Sequence, residues 1–141
     1  MSHATTFDEI RAALSECDAS IVAAWIFGSL ARGTARPDSD VDVAVLRRTD
    51  DAPRRLADLP LDLEDRLGRR AGRAVQVTDA GRAPADLVHR VLRDGVLVLD
   101  RDRALRIRFE VASRNRYFDM SPIWRQYRAA ARPARRTPAS S

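Results

Sequence analysis

Apolar residues follow two different spacings along this chain. In residues 7–17 they recur every three or four positions, which is typical of an amphipathic helix. Residues 20–27 instead form a dense apolar run that ends at Gly28, as a buried strand does. In residues 40–46 valines alternate with aspartate or alanine, and this alternation predicts a second strand.

The same two spacings continue through the second half of the chain. They predict a helix through Leu56, Leu59, Leu63 and Leu67, a strand over residues 73–80, a helix over residues 84–95, a strand over residues 96–100 and a helix beyond Asp100. That last prediction is ambiguous because Ile107, Phe109 and Val111 alternate as in a strand. Strands that alternate with helices indicate an α/β (α+β) fold, with a small sheet of about four strands covered by helices and followed by a C-terminal helix.

The size and composition are those of one globular domain. The chain has 141 residues, 45% hydrophobic and 32% charged. We assign the domain to residues 1–130 and expect residues 131–141 to form a disordered basic tail. No apolar run reaches the roughly 18 residues that cross a bilayer, so we expect a cytoplasmic protein without membrane contact. The single cysteine, Cys17, and the two histidines cannot assemble a zinc site.

Basic residues are concentrated towards the C-terminal end. Residues 1–100 contain 14 arginines against 17 acidic residues, whereas residues 101–141 contain 11 arginines against 3 acidic residues. Such a segment suits nucleic acid or an acidic protein surface, and it also suits a solvated helix face. Direct nucleic-acid binding stays an alternative, although no motif that reads RNA or DNA accompanies the charge.

Two aspartates, Asp40 and Asp42, lie one residue apart on the predicted second strand. Successive side chains of a strand point to opposite faces, so both carboxylates share one face and the valines share the other. Two anions this close repel each other, and partial burial would make one of them bind a proton unless a cation compensates the negative charge. Carboxylate oxygens suit Mg²⁺ or Mn²⁺, and Mg²⁺ usually completes its shell with water and substrate phosphates. The pair therefore predicts a metal site beside a nucleoside triphosphate.

The residues before this strand offer groups for phosphates. Gly28 ends the first strand, and its lack of a side chain lets the backbone approach a ligand closely. A helix that begins at Ser29 would direct N–H groups and a hydroxyl at an anion, while Arg32 lies one turn further and either reaches the phosphates or pairs with Asp38. Each pattern alone also fits a simple turn or a solvated strand edge. The full spacing of Gly-Ser, ten residues and Asp-x-Asp between two apolar strands favours the phosphate and metal site.

The stretch GSLARGTARPDSDVDVAV, residues 28–45, resembles the signature of the minimal nucleotidyltransferases, relatives of DNA polymerase beta that in bacteria often occur as MNT antitoxins paired with HEPN toxins. The resemblance extends over most of residues 20–118. It implies a palm-like mixed sheet and transfer of a nucleotidyl group from ATP or another NTP. It also implies that Gly28 and Ser29 hold the phosphates, and that Asp40 and Asp42 bind Mg²⁺ or Mn²⁺ and form the catalytic pair.

One position departs from the family pattern. Members commonly add a third carboxylate from the next strand, and the matching residue here is Gln76. An amide is a poor base and a weaker metal ligand than a carboxylate. Asp79 lies three residues further and by alternation points away from the face of Gln76. Catalysis is therefore reduced, assisted by the acceptor, or absent.

The acceptor that the resemblance implies is a HEPN ribonuclease toxin, silenced by complex formation and by transfer of AMP to a tyrosine. Because the predicted core leaves about one long helix, we expect contact through the Arg-rich C-terminal segment. Aromatic and arginine side chains are typical interface anchors, and this segment carries Phe109, Tyr117, Phe118, Trp124 and Tyr127. The alternative for Phe109 and Phe118 is that they pack the helix onto the sheet. The alternative function is an interaction protein that binds nucleotide and neutralises its partner by binding alone.

Overall fold

A computed structural model of the protein describes residues 3–17, 19–48 and 62–130. These residues form nine elements, which are α1 (His3–Ser15), β1 (Ile21–Phe27), α2 (Ser29–Arg32), β2 (Val41–Arg47), α3 (Leu63–Ala71), β3 (Val75–Asp79), α4 (Ala85–Asp94), β4 (Val96–Asp100) and α5 (Arg103–Ala130). The predicted alternation of strands and helices is confirmed.

The four strands form one mixed sheet in the order β3-β2-β1-β4. Strand β1 is antiparallel to β2 and to β4, while β2 is parallel to β3. The parallel pair requires a crossover, and helix α3 belongs to the segment that makes it. The sheet, its helices and the C-terminal helix agree with the α/β (α+β) fold expected from the sequence.

Helices cover both faces of the sheet. On one face α1 and α3 bury Val41, Val43 and Val45 completely. On the other face α4 and α5 pack against the side chains of β1 and β2 that point the opposite way, among them Trp25 and Ala44. The valines of the second strand therefore share one face, as predicted. Asp42 lies on the face that α4 and α5 cover.

Arg101, directly after β4, ties the end of α1 to the sheet. Its guanidinium donates hydrogen bonds to the carbonyl oxygens of Leu14, Ser15, Cys17 and Ile21 at 2.7–3.2 Å. The last carbonyls of a helix have no partner within the helix, so a guanidinium is well suited to satisfy them.

Helix α5 is apolar on two sides, which explains its ambiguous sequence. The ring of Phe109 packs 6.2 Å from that of Trp25, whereas Ile107 and Val111 are 40% and 49% exposed. The segment is thus a helix, and Phe109 packs it onto the sheet. Tyr117 stacks on His89 of α4 at 3.7 Å, while Phe118 is 62% exposed.

Several predictions fall outside the described residues. They concern the leucines at 56 and 59, the side chains of Trp124 and Tyr127, and the tail 131–141. The predicted third helix is observed from Leu63 onwards. Among the helices that the structure describes, none combines the length and the apolar character needed to span a bilayer.

Candidate active site

Strand pairing brings the predicted site residues together at one end of the sheet. Phe27 of β1 pairs with Asp42 of β2, so Gly28 leaves β1 directly beside that aspartate. On the other side Asp42 is in register with Gln76 of β3. Asp40 precedes β2 and is exposed, whereas Asp42 is half-buried.

Both the backbone conformation of Gly28 and its surroundings require glycine at this position. Its φ of 76° and ψ of −153° lie in a region that side chains rarely tolerate. A Cβ atom at this position would also overlap Oδ2 of Asp42. The backbone and the carboxylate are therefore in close contact only because residue 28 has no side chain.

The helix predicted from Ser29 is shorter than a phosphate-binding helix usually is. Helix α2 has four residues and ends at Gly33, whose φ is 76°. So short a helix carries little macrodipole, because the dipole sums over aligned peptide units. What α2 contributes is the position of Ser29 and of Arg32 rather than a strong dipole.

The electrostatics of Asp42 are those of an anion without sufficient compensation. Burial raises the pKa of its carboxyl group, the nearby charge of Asp40 raises that pKa further, and the positive charge of Arg32 lowers it in part. A cation placed between the carboxylates of Asp40 and Asp42 would favour the charged form of Asp42 and so lower its pKa.

The donor set fits a hard divalent cation, although it is sparse. It consists of the carboxylates of Asp40 and Asp42 with the side-chain amide of Gln76, whose Nε2 lies 3.5 Å from Oδ2 of Asp40. No group of three or more His, Cys, Asp or Glu side chains that could bind a metal occurs within the described ranges. Oxygen donors of this kind suit Mg²⁺ or Mn²⁺, which fill their remaining positions with water and phosphate.

Asp79 does not complete this set. Its Oδ2 is 3.2 Å from Nη2 of Arg47, and its Oδ1 accepts a hydrogen bond of 3.1 Å from the N–H of Gly81. It is in register with Val45, an odd number of residues from Asp42, so the two carboxylates leave the sheet on opposite sides. The predicted orientation of Asp79 agrees with this placement.

A cavity of about 610 Å³ opens beside Asp42. Four predicted site residues line it, namely Gly28, Ser29, Arg32 and Asp42. The opposite wall comes from α4 and consists of Leu87, Arg90, Arg93 and Asp94, while Phe27 contributes from β1. The cavity therefore combines carboxylates, a glycine-serine turn and three arginines.

The α4 residues of this cavity were not predicted from the sequence. Their spacing of three and four residues marks one helical face, but nothing in that spacing says which strand end the face will meet. Arg93 is hydrogen-bonded to its neighbour Asp94 at 3.0 and 2.9 Å, and this bond lowers the pKa of Asp94. Among the described residues, no carboxylate forms an ion pair with Arg90.

Comparison with known proteins assigns the chain to a family. A family model described as polymerase beta, nucleotidyltransferase, matches residues 8–104. The search of curated proteins found no match.

Solved structures that are similar to this chain include the following three. A chain of a toxin–antitoxin complex with AMP-PNP is 23% identical over 91% of this chain and 93% of that chain, with a TM-score of 0.63. A chain from the complex of tri-AMPylated Shewanella oneidensis HEPN toxin with MNT antitoxin is 20% identical over 94% of both chains, with a TM-score of 0.60. These two likenesses concern the fold.

The third structure, provisionally described as a minimal nucleotidyltransferase, is 31% identical over 68% of this chain and 95% of that chain, with a TM-score of 0.52. It agrees with the family model in both fold and sequence. The chain belongs to the polymerase beta nucleotidyltransferase family.

Proposed function

We propose that this protein transfers the AMP group of ATP to a hydroxyl group on a HEPN-type toxin and so acts as its antitoxin. The observation that carries the proposal is the contact of Gly28 with the half-buried carboxylate of Asp42 at the edge of a cavity that also contains Ser29 and Arg32. The family membership supports the reaction class, and two similar structures come from toxin–antitoxin complexes.

Within this proposal each residue of the site has its own role. Asp40 and Asp42 hold Mg²⁺ or Mn²⁺, which when bound neutralises phosphate charge and orients the α-phosphate. Gly28 lets the phosphates approach the backbone, the hydroxyl of Ser29 donates a hydrogen bond to them, and Arg32 adds positive charge. Their common function is to fix the triphosphate so that its α-phosphorus faces the acceptor.

The transfer itself forms one bond and breaks one. The acceptor oxygen bonds to the α-phosphorus, and the bond from that phosphorus to the bridging oxygen of the β-phosphate breaks, so that pyrophosphate leaves. Gln76 cannot take the proton of the acceptor hydroxyl, because an amide is a poor base. That proton passes to water or to a base that the partner supplies.

Helix α5 is the surface that we assign to the partner. Ile107, Val111 and Phe118 share one side of the helix, opposite Phe109, and all three are exposed. The exposed arginines Arg103 and Arg114 lie on the same side of the helix. Two copies of so basic a helix would repel each other, and the surface therefore favours a partner with an apolar contact area and acidic margins.

A second candidate function is neutralisation by binding alone. The observation that favours it is Gln76, which stands in register with Asp42 where a third carboxylate would complete the metal site. A site with two carboxylates can bind a metal and nucleotide without efficient turnover. Under this alternative, replacement of Asp40 or Asp42 leaves the neutralising activity unchanged.

The deciding experiment uses the purified protein, a HEPN-type partner encoded beside it, Mg²⁺ and ATP labelled at the α-phosphate. We expect the partner to gain label with the wild type and with Asp65→Ala, a control that removes an exposed carboxylate on α3. We expect no label with Asp42→Ala. If the wild type and Gln76→Asp both leave the partner unlabelled while still binding nucleotide, the transfer proposal is wrong and the binding function remains.

A further inference from the structure

The triphosphate site proposed above needs more positive charge than a metal ion and Arg32 supply. A bound triphosphate tail carries several negative charges, and Asp40 and Asp42 add two more. A site that holds all these anions must present cations on the wall that faces them.

Helix α4 forms that wall, and its orientation is fixed by packing. Val88 and Val91 are buried on its inner side, and Leu87 and Leu92 are packed against the core between the sheet and α5. With these positions turned to the core, Arg90 and Arg93 fall on the side that lines the cavity beside Asp42. Their place is thus set by the buried residues of the same helix rather than by chance on the surface.

The two arginines differ in how they are engaged. Nε and Nη2 of Arg93 donate hydrogen bonds of 3.0 and 2.9 Å to the carboxylate of Asp94. Much of the positive charge of Arg93 is therefore already compensated. Arg90 forms no ion pair within the part of the chain that the structure describes, and it is exposed at the cavity. A planar guanidinium in this state can bind a phosphate through two hydrogen bonds.

We infer that Arg90 binds the β- and γ-phosphates of a nucleoside triphosphate whose α-phosphate lies beside Asp42 and Ser29. This inference rests on the proposed nucleotide site but not on the transfer step. Arg90 acts as a substrate-binding residue on the wall opposite the glycine-serine turn. It makes the cavity selective for triphosphates over monophosphates, because a monophosphate lacks the groups that Arg90 contacts.

The test compares two nucleotides by calorimetry on the full-length protein with Mg²⁺ at fixed salt. One is α,β-methylene-ATP, which cannot be cleaved at the α–β bridge, and the other is AMP. We expect Arg90→Ala and Arg90→Gln to weaken binding of the ATP analogue about tenfold or more, which is typical of a lost charge-assisted hydrogen bond. We expect AMP binding to change less than about twofold, because AMP lacks the β- and γ-phosphates that are assigned to Arg90.

Arg69→Ala is the matched control, since Arg69 is an exposed arginine on α3 that pairs with Asp65 and does not line the cavity. It should bind both nucleotides as the wild type does. Unfolding midpoints that equal that of the wild type will show that Arg90→Ala and Arg90→Gln are folded.

Unchanged binding of the analogue, or an equal loss for the analogue and AMP, would overturn the inference. The wild type failing to bind the analogue would overturn it too. A selective loss of analogue binding, combined with no labelling of any partner, would support Arg90 as a phosphate ligand and reject only the transfer step.

Discussion

The backbone of Gly28 lies directly against the carboxylate of Asp42. The contact joins the end of β1 to the start of β2, and it leaves no room for a Cβ atom on residue 28. Gly28 also has a φ of 76°, which side chains disfavour independently of the contact. The contact and the backbone conformation thus each require glycine at position 28. The contact also holds a carboxylate beside the turn proposed to bind phosphate.

Gly28→Ala is expected to damage both the fold and the site. The backbone conformation alone costs about 1–3 kcal/mol, and the overlap with Asp42 adds to it by displacing the carboxylate. Gly33→Ala is the matched control because Gly33 has the same φ of 76° but open space around its Cα. We expect Gly33→Ala to lose about 1–2 kcal/mol in urea unfolding and to retain nucleotide binding, whereas Gly28→Ala loses more stability and binds no nucleotide. Equal effects of the two substitutions would refute the role of the contact.

Asp42→Asn is expected to stabilise the protein at neutral pH. The pKa of the Asp42 carboxyl group is raised, so the folded protein holds this proton more tightly than the unfolded chain. Its contribution to stability is therefore complete below the ordinary aspartate pKa of about 3.9 and is lost as the pH rises through the raised value. Asparagine keeps the shape and removes the charge.

The measurement is the melting temperature of wild type and variant between about pH 3.5 and pH 7.5. The gain of Asp42→Asn should be present at neutral pH and shrink as the pH falls towards about 3.9. Asp65→Asn, at an exposed carboxylate that pairs with Arg69, should show no gain. A lower melting temperature for Asp42→Asn at pH 7.5, or a gain that does not change with pH, would contradict the prediction.

Much of the fold follows from local pattern, and the exception is instructive. The valines of β2 alternate because one face of this strand is wholly buried. This alternation predicts a strand whichever helices cover that face. The alternation of Ile107, Phe109 and Val111 has another origin, since the helix is apolar both where it meets the sheet and on its exposed side. A spacing of two residues then arises in a helix, and the sequence alone does not distinguish the two causes.

The residues of the site also fall into two groups, those that spacing along the chain predicts and those that it does not. Gly28, Ser29 and Asp42 lie at adjacent strand ends, so spacing along the chain was sufficient to place them together. Arg90 and Arg93 reach the same cavity only through the packing of α4 on β1, and no local pattern records that packing. The N–H groups expected at Ser29 belong to a helix with little macrodipole, because Gly33 ends this helix after four residues.

Gln76→Asp is expected to make the protein depend more strongly on divalent cations. Gln76 is in register with Asp42, and its amide lies 3.5 Å from Asp40, so an added carboxylate would create a group of three anions. Without metal their repulsion lowers the melting temperature, and with Mg²⁺ the extra ligand raises it. Thermal unfolding with and without Mg²⁺, at constant ionic strength, measures the difference.

The matched control for that substitution is Gln76→Asn, which shortens the side chain equally without adding charge. Its response to Mg²⁺ should equal that of the wild type. If Gln76→Asp responds to Mg²⁺ no more than Gln76→Asn does, then residue 76 lies outside the metal site and its departure from the family pattern has no bearing on catalysis.

Val111→Glu is expected to separate partner binding from nucleotide binding. Val111 is 49% exposed on the outer side of α5 and does not line the cavity that contains Asp42, and surface substitutions usually change stability by about 0.5 kcal/mol or less. A charge in the centre of a buried apolar contact should weaken binding of the HEPN-type partner by about tenfold or more. Ala4→Glu adds the same charge to an exposed position of α1 and should leave that affinity unchanged. Calorimetry with the partner and with α,β-methylene-ATP tests both halves, and a partner affinity that survives Val111→Glu would exclude the outer side of α5 as the contact surface.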